Sequence, residues 1–213
     1  MRSPMTRAMR SPMMTRLRSR SRRGRRGAAV VEFTLVMFPS LVLLFSVVVV
    51  GLQLSQQVRA SQVARDTGSM YGRGIDFTQS INQDVVVRLA QGLGLQKTGG
   101  TAVVYLSQVT WLPQSTCTAA ALSPCNGNSH VMLQRLSIGN TSVTSSRLGT
   151  PTGMNSEGVI TNYMQNASAV ATFSYGQLVT GEFAYVTEAY FQTPSFSFPG
   201  FSTAPGVYAL AIY

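Results

Sequence analysis

The sequence predicts an α+β protein in which a long N-terminal transmembrane helix extends into an exported domain with an amphipathic helix and an antiparallel β-sheet. Three observations predict this fold. Residues 28–54 are apolar and contain one charged residue, Glu32. From that segment the chain continues without a helix breaker to Gly68. Five short runs of β-branched and aromatic residues follow, bounded by Gly, Pro and Asn, as is typical of strands.

The positive charge of the chain is confined to its N-terminus. Residues 1–26 contain ten arginines and no acid, whereas the remainder holds seven basic and seven acidic residues. An Arg-rich tail does not fold alone, but it can bind phosphates nonspecifically, so a nucleic-acid binder is one alternative. The positive-inside rule explains the tail as a topogenic signal without an additional partner. We therefore expect no nucleic-acid partner.

The apolar segment is long enough to span a bilayer. As a helix, 27 residues would extend roughly 40 Å, against a hydrocarbon core of about 30 Å. The basic flank predicts a single-pass membrane protein with a cytoplasmic N-terminus and the rest of the chain outside. A cleaved secretory signal has a shorter apolar region, and the arginine pair after Ser21 lacks the hydrophobic continuation of a twin-arginine signal.

The spacing predicts one helix from about Ala29 to about Met70. Pro39 removes a backbone hydrogen bond inside it, so a kink is expected there. Beyond the membrane, Leu54, Val58 and Val63 fall near one face, and the end of the helix is free to pack on the exported domain.

The junction between the basic tail and the apolar segment reads G-A-A-V-V-E-F over residues 27–33. It resembles the type IV prepilin motif, in which a membrane peptidase cuts after the glycine. The resemblance implies processing between Gly27 and Ala28, with Glu32 and Phe33 as the fifth and sixth mature residues. It also implies that Glu32 forms an assembly salt bridge with the N-terminal amine of a neighbouring subunit.

Within this group, residues 25–72 look most like TadE-like proteins of tight-adherence (Flp-type) pilus systems. That family has an R-G-A-x-x-V-E-F-A-L-like start, a proline in the apolar segment and a Q-x-x-x-x-A-R-D/E-G-like end. The matching end residues are Gln57, Ala64, Arg65, Asp66 and Gly68, with Thr67 inserted before the glycine. The aromatic C-terminus, GVYALAIY, is similar more loosely. The chain is far longer than the major pilins of these systems, which favours a minor pseudopilin.

The resemblance implies a role in pilus biogenesis and surface adhesion. It also implies a location in the bacterial inner membrane with the C-terminal domain in the periplasm, or outside the cell after assembly into the pilus. The implied partners are a prepilin peptidase, other minor pseudopilins, the major pilin, an inner-membrane assembly platform and membrane lipid. The implied domains are a cleaved basic leader (1–27, with Arg22, Arg23, Arg25 and Arg26 next to the cut), a transmembrane helix (28–54), a helix extension (55–72) and the exported domain (73–213). The alternative is an uncleaved bitopic membrane protein whose exported domain senses or scaffolds, with Glu32 as an interfacial acid.

The exported domain should contain one amphipathic helix at 78–95, on which Ile81, Val85, Leu89 and Leu93 form a stripe. Strands are predicted at 101–111, 130–138, 167–175, 181–191 and 206–213, although 181–191 is also compatible with a helix. The polar stretch 139–166 predicts a long loop with a short helix near 157–165. Cys117 and Cys125 are the only cysteines, and an oxidising compartment predicts a disulfide between them.

No catalytic constellation is apparent in the sequence. His130 is the only histidine and is best interpreted as structural. Gly92, Gly94 and Lys97 end a helix rather than begin one, which favours a C-cap over a phosphate loop. Glu182 and Glu188 are interpreted as surface residues, and the sequons at Asn140 and Asn166 are short enough to occur by chance. We expect no enzyme activity, metal, cofactor or small-molecule substrate.

Overall fold

The computed structural model describes residues 23–173, 176, 178–194, 197–198, 201–202 and 205–213. The chain divides into two compact units, Met1–Val47 and Val48–Tyr213. The helices are α1 (Arg23–Gly72), α2 (Ser80–Leu89) and α3 (Gln114–Ala119), with a 3₁₀ turn at Ala167–Ala169. The strands are β1 (Ala102–Leu112), β2 (Ser129–Gly139), β3 (Phe183–Gln192), β4 (Ser197–Phe198), β5 (Phe201–Ser202) and β6 (Gly206–Ile212). These elements confirm the predicted α+β class.

Helix α1 begins at Arg23 rather than near Ala29, and it ends at Gly72 rather than near Met70. Arginine is a good helix former and no proline precedes Pro39 in the helix, so the helix extends back into the basic flank. Its C-terminus is a Schellman motif. The Ile75 amide donates to the Met70 carbonyl (3.1 Å) and the Gly74 amide to the Tyr71 carbonyl (2.9 Å), while Gly74 has a φ of +83°.

In the second unit, one face of α1 packs on the sheet. The buried residues of that face recur at three- and four-residue intervals: Ala60, Val63, Ala64, Thr67 and Tyr71. Of the three apolar residues that fall near one face, Val63 is buried, whereas Leu54 and Val58 are 61% and 56% exposed. Ala60, Ala64 and Thr67 on this face are small, which lets the helix approach the sheet closely.

The main sheet has the order β2-β1-β3-β6, and every neighbouring pair is antiparallel. Strand β3 excludes the helical alternative for 181–191. Alternate residues on one face, including Val104, Leu106, Ala189 and Phe191, form a core with α1 and α2. We call this the helix face.

The opposite face of the sheet is covered by the long connection between β2 and β3, and we call it the loop face. Its core includes Val109, Met132 and Val186 from the strands and Leu148, Ile160 and Phe173 from the connection.

Two predictions on the connection between β2 and β3 were wrong. No strand forms among the described residues of 167–175; Ala167–Ala169 is instead a 3₁₀ turn, begun by the Asn166 side chain accepting from the Ser168 amide. The predicted helix near 157–165 is replaced by turns and isolated bridges, since Val159 pairs with Gln134 and Ile160 with Met154.

Helix α2 is shorter than predicted, and a different face of it is buried. It ends at Leu89 with Ala90 at its C-cap, and the following turn places Gly92 at a φ of +84°. Ile81, Val85 and Leu89 are 70%, 41% and 43% exposed, so most of the predicted stripe faces solvent. Val86 and Ala90, one position along, are buried in the helix-face core instead.

Candidate functional site

The proposed processing junction lies within helix α1. Gly27 and Ala28 are exposed, and a Cβ at Gly27 would meet no atom within 4 Å. The backbones of Arg23, Arg25 and Arg26 belong to the same helix, whereas Arg22 lies outside the described residues. Glycine weakens a helix by about 1 kcal/mol relative to alanine, so the junction is a locally weak point of α1.

Glu32 and Phe33 lie one turn after the junction and are both exposed. The Glu32 carboxylate forms no hydrogen bond or ion pair with any described residue. The stretch that follows is apolar: α1 contains an 18-residue window with a mean hydropathy of 2.7. By length and composition, Gly27–Gly72 fits the helix of a single-pass membrane protein. A carboxylate at such a position needs a partner or access to the interface.

The hydroxyl groups of this segment are satisfied within the helix. Thr34 donates to the Val30 carbonyl (2.8 Å), Ser40 to Val36 (2.7 Å) and Ser46 to Val42 (2.8 Å). Each bond spans four residues and removes a polar group that would be costly in hydrocarbon. Helix α1 continues through Pro39, whose missing N–H leaves the Leu35 carbonyl without its usual donor. Glu32 is the one ionisable side chain between Gly27 and Leu54.

The second unit closes around the C-terminal end of α1 through the last residue of the chain. The Tyr213 hydroxyl donates to the Arg65 carbonyl (2.8 Å), and Gln57 donates to the Tyr208 carbonyl (3.1 Å). A Cβ on Gly68 would lie 2.7 Å from the Tyr213 ring and 3.0 Å from the Thr187 hydroxyl. Gly68 is thus required by close packing, which gives a physical reason for the glycine that ends the family-like pattern.

Sequence reasoning missed a buried charged network on the loop face. Glu188, interpreted from the sequence as a surface residue, is 1% exposed and lies 3.6 Å from the Arg135 guanidinium. Its carboxylate also accepts from the Arg147 amide (2.8 Å), the Tyr208 hydroxyl (2.8 Å) and the Ser146 hydroxyl. Arg147 itself stacks on the Tyr208 ring, at 3.8 Å from the ring centre.

Arg135 ties the same network to the next turn of the connection. Its guanidinium donates to the Gly149 carbonyl (3.0 Å), and burial lowers its pKa while Glu188 opposes that shift. The network therefore fixes residues 146–149 on the sheet. The surface interpretation holds for Glu182, which precedes β3 and accepts from the Val179 amide at 2.9 Å.

His130 lies in an aromatic cluster rather than in a catalytic arrangement. Its ring centre is 5.0 Å from those of Trp111 and Phe173, and burial lowers its pKa. Its Nε2 is buried and has no hydrogen-bond partner among the described residues. No group of three or more His, Cys, Asp or Glu that could hold a metal occurs in the described part of the chain.

The remaining candidate residues have structural roles. Cys117 and Cys125 form a disulfide beyond the end of β1. Lys97 pairs with Asp84 of α2 (2.7 Å) and Ser80 (2.6 Å), so it does not face a phosphate-binding loop. In both sequons the asparagine Oδ1 accepts from the serine two residues on, and the Nδ2 donates to a backbone carbonyl, which leaves neither amide free.

Comparison with known proteins matches the N-terminal segment. Residues 27–68 match the family of TadE-like proteins, over the stretch that begins at Gly27 and ends at the glycine packed against Tyr213. No curated protein and no solved structure is significantly similar to the chain. Residues 27–68 are therefore similar to TadE-like proteins, which confirms the resemblance over this segment of the chain.

Proposed function

We propose that this protein is a minor pseudopilin of a tight-adherence pilus system, processed after Gly27 by a prepilin peptidase. The observation that carries the proposal is the TadE-like match over residues 27–68, which begins at the glycine itself. The basic flank, the exposed junction and the carboxylate one turn later are the features that such processing requires. The product begins at Ala28 and contributes to pilus biogenesis and surface adhesion.

The chemistry of Glu32 supports a role in assembly. Cleavage creates a free α-amine at Ala28, which is a cation close to the membrane face. Glu32 has no partner among the described residues of its own chain, so its carboxylate is available to the amine of a neighbouring subunit. An ion pair removed from water is sensitive to loss of either charge, with a cost of about 3–5 kcal/mol. Pairing of this kind drives lateral association inside the membrane.

The second unit supports an exported location. Cys117 and Cys125 are bonded to each other, which suits an oxidising compartment. With the basic tail held in the cytoplasm, the positive-inside rule places residues beyond the membrane segment in the periplasm. There the domain meets the major pilin, related minor pseudopilins and the inner-membrane platform.

Substitution of Glu32 tests the assembly role. Cells lacking the native copy are supplied with the wild-type protein, Glu32→Gln, or Ser46→Ala as a matched control that removes another polar group of the apolar segment. We expect Glu32→Gln to be inserted and processed at the wild-type level but to reduce surface pili at least tenfold, because the subunit pair loses one charge. Ser46→Ala should assemble normally. Normal piliation with Glu32→Gln would contradict the assembly role.

A further inference from the structure

A groove of about 540 Å³ lies at one end of the main sheet, between β1, β3 and the turn at residues 159–164. Its volume is within the range of small-molecule sites. The lining residues are Thr110, Trp111, Leu112, Pro113, Thr116, Leu133, Val159, Ile160, Asn162, Tyr163, Met164, Thr180 and Phe183. We call this the tip groove.

The strand register places the tip groove at the end of the sheet that is opposite to Leu54. Strand β6 runs beside α1 in the same direction, since Gly206 and Val207 lie near Leu54 while Tyr213 reaches Arg65. Phe183, which lines the groove, pairs with Thr110 of β1. The chain ends at Tyr213 opposite Tyr185, so Phe183 lies two residues beyond the last pairing between β3 and the C-terminal segment. The groove therefore opens at the end of the sheet that is opposite to Leu54, and the proposed topology directs that end outward.

The lining of the tip groove is uncharged. It contains no Asp, Glu, Lys, Arg or His, so it offers no counterion to a charged ligand. Two aromatic residues of the lining, Tyr163 and Phe183, supply flat apolar surface, and Phe183 is 48% exposed. Thr116, Asn162 and Thr180 add hydroxyl and amide groups at the rim. Aromatic surfaces combined with neutral hydrogen-bonding groups match the alternating apolar and hydroxyl faces of a neutral sugar.

Asn162 occupies the most distinctive position of the lining. Its φ of +53° lies in the left-handed region, which asparagine adopts more readily than most residues with a side chain. Its backbone carbonyl begins a turn by accepting from the Gln165 amide (2.8 Å) and the Asn166 amide (2.9 Å). Its exposed side-chain amide makes no hydrogen bond to any described residue. The turn thus fixes the backbone and leaves the amide available to a ligand.

The walls of the groove are braced before any ligand binds. Asn126, which follows the disulfide, donates from its side chain to the Tyr163 carbonyl (2.8 Å), and its backbone amide donates to the Met164 carbonyl (2.7 Å). Cys117 packs with Leu112 and with the partly buried Tyr163. A site held this firmly loses little conformational entropy on binding.

We propose that the tip groove binds a neutral saccharide. Tyr163 and Phe183 provide the apolar platform, and Asn162 and Thr180 donate and accept hydrogen bonds to sugar hydroxyls. The inference rests on the proposed function for the outward orientation of the groove and would give the pilus system a glycan-binding subunit. Binding to the isolated full-length protein does not depend on processing or assembly, so the two proposals can fail separately.

The experiment uses the full-length protein in lipid nanodiscs, because maltoside detergents would present sugar headgroups to the groove. A glycan array with neutral, sialylated and sulfated oligosaccharides identifies the probe, and isothermal titration calorimetry measures its affinity. We expect binding to neutral glycans only, with an affinity that is unchanged between low and high salt. Asn162→Gly, which keeps the left-handed backbone, and Thr180→Val, which removes one hydroxyl, should each weaken binding about tenfold.

The matched control is Ala121→Gly, which makes the same kind of exchange at a φ of +52° outside the groove. It should bind like wild type, and equal unfolding midpoints would show that all variants fold. Absence of any neutral glycan ligand would overturn the proposal. So would binding to charged glycans alone, or glycan binding that Asn162→Gly and Thr180→Val leave unchanged. A groove that instead captures apolar peptides from a peptide array, with no glycan bound, would also overturn it.

Discussion

Replacing Glu188 by glutamine should strongly destabilise the second unit, although the two side chains have nearly the same shape. The Arg135 and Glu188 side chains are 5% and 2% exposed, so the substitution leaves a guanidinium buried without its anion. It also replaces a carboxylate that accepts from the Arg147 amide and the Tyr208 hydroxyl. Removing one partner of a buried pair costs about 3–5 kcal/mol, and we expect Glu188→Gln to fall in this range.

Adding Arg135→Met removes the stranded cation and should recover part of that loss. We expect a coupling energy of at least about 2 kcal/mol between the two sites in a double-mutant cycle. Urea unfolding of the full-length protein in nanodiscs, followed by the fluorescence of Trp111, the only tryptophan, measures all four free energies. A loss below about 1 kcal/mol for Glu188→Gln, or strictly additive effects, would refute the interpretation of this network as a buried charge pair.

Three further predictions concern single positions. Gly68→Ala should lower the free energy of unfolding by about 1–3 kcal/mol, because the new Cβ would lie 2.7 Å from the Tyr213 ring. In the control Gly51→Ala the new Cβ meets no atom within 4 Å, so this substitution should be neutral or stabilising. Equal decreases of the unfolding midpoint in the two variants would contradict this prediction. Cys117→Ser should lower the unfolding free energy by about 2–3 kcal/mol, because it opens the loop that the disulfide closes. An unchanged unfolding free energy under oxidising conditions would show that other contacts hold the loop. Burial depresses the folded-state pKa of His130, so its contribution to stability is present above about pH 6.5, the pKa of an unfolded histidine, and is lost as the pH falls toward the folded pKa. Unfolding free energies measured between about pH 5 and 8 should show this fall in wild type but not in His130→Gln, and equal slopes in the two proteins would contradict it.

The elements with strong local patterns could be predicted from the sequence. β-Branched and aromatic runs gave β1, β2, β3 and β6 to within about two residues, because each is bounded by Gly, Pro or Asn. The connection between β2 and β3 was predicted poorly, since its turns are fixed by individual side chains. Asn166 begins the 3₁₀ turn and Asn155 accepts from the Val159 amide at 2.8 Å, and neither bond follows from hydrophobic periodicity.

The helix faces show how tertiary packing overrides amphipathic pattern. In α2 the largest aliphatic residues suggested a stripe through Ile81 and Val85, yet the sheet buries Val86 and Ala90. In α1 the close approach at Gly68 selects Ala60 and Ala64 over Leu54. Size and hydrophobicity alone do not reveal which face has room for a neighbouring strand.

Glu188 shows the same limit for a charged side chain. Glu188 is two residues from the buried Val186 on β3. Because side chains alternate between the faces of a strand, both lie on the buried loop face. Its partner Arg135 belongs to β2, which does not pair with β3, so no local pattern links the two residues. The TadE-like segment could be recognised from the sequence because its pattern is contiguous, from Gly27 through Glu32 to Gly68.

The N-terminal residue of the membrane-extracted protein tests the central claim most directly. Mass spectrometry of the N-terminal peptide compares cells that contain their prepilin peptidase with cells that lack it, and Gly27→Leu serves beside Gly24→Leu as a matched pair of variants. We predict a chain that starts at Ala28 only when the peptidase is present, with processing blocked by Gly27→Leu and retained in Gly24→Leu. An intact basic leader in both strains would contradict the account and would indicate an uncleaved bitopic membrane protein.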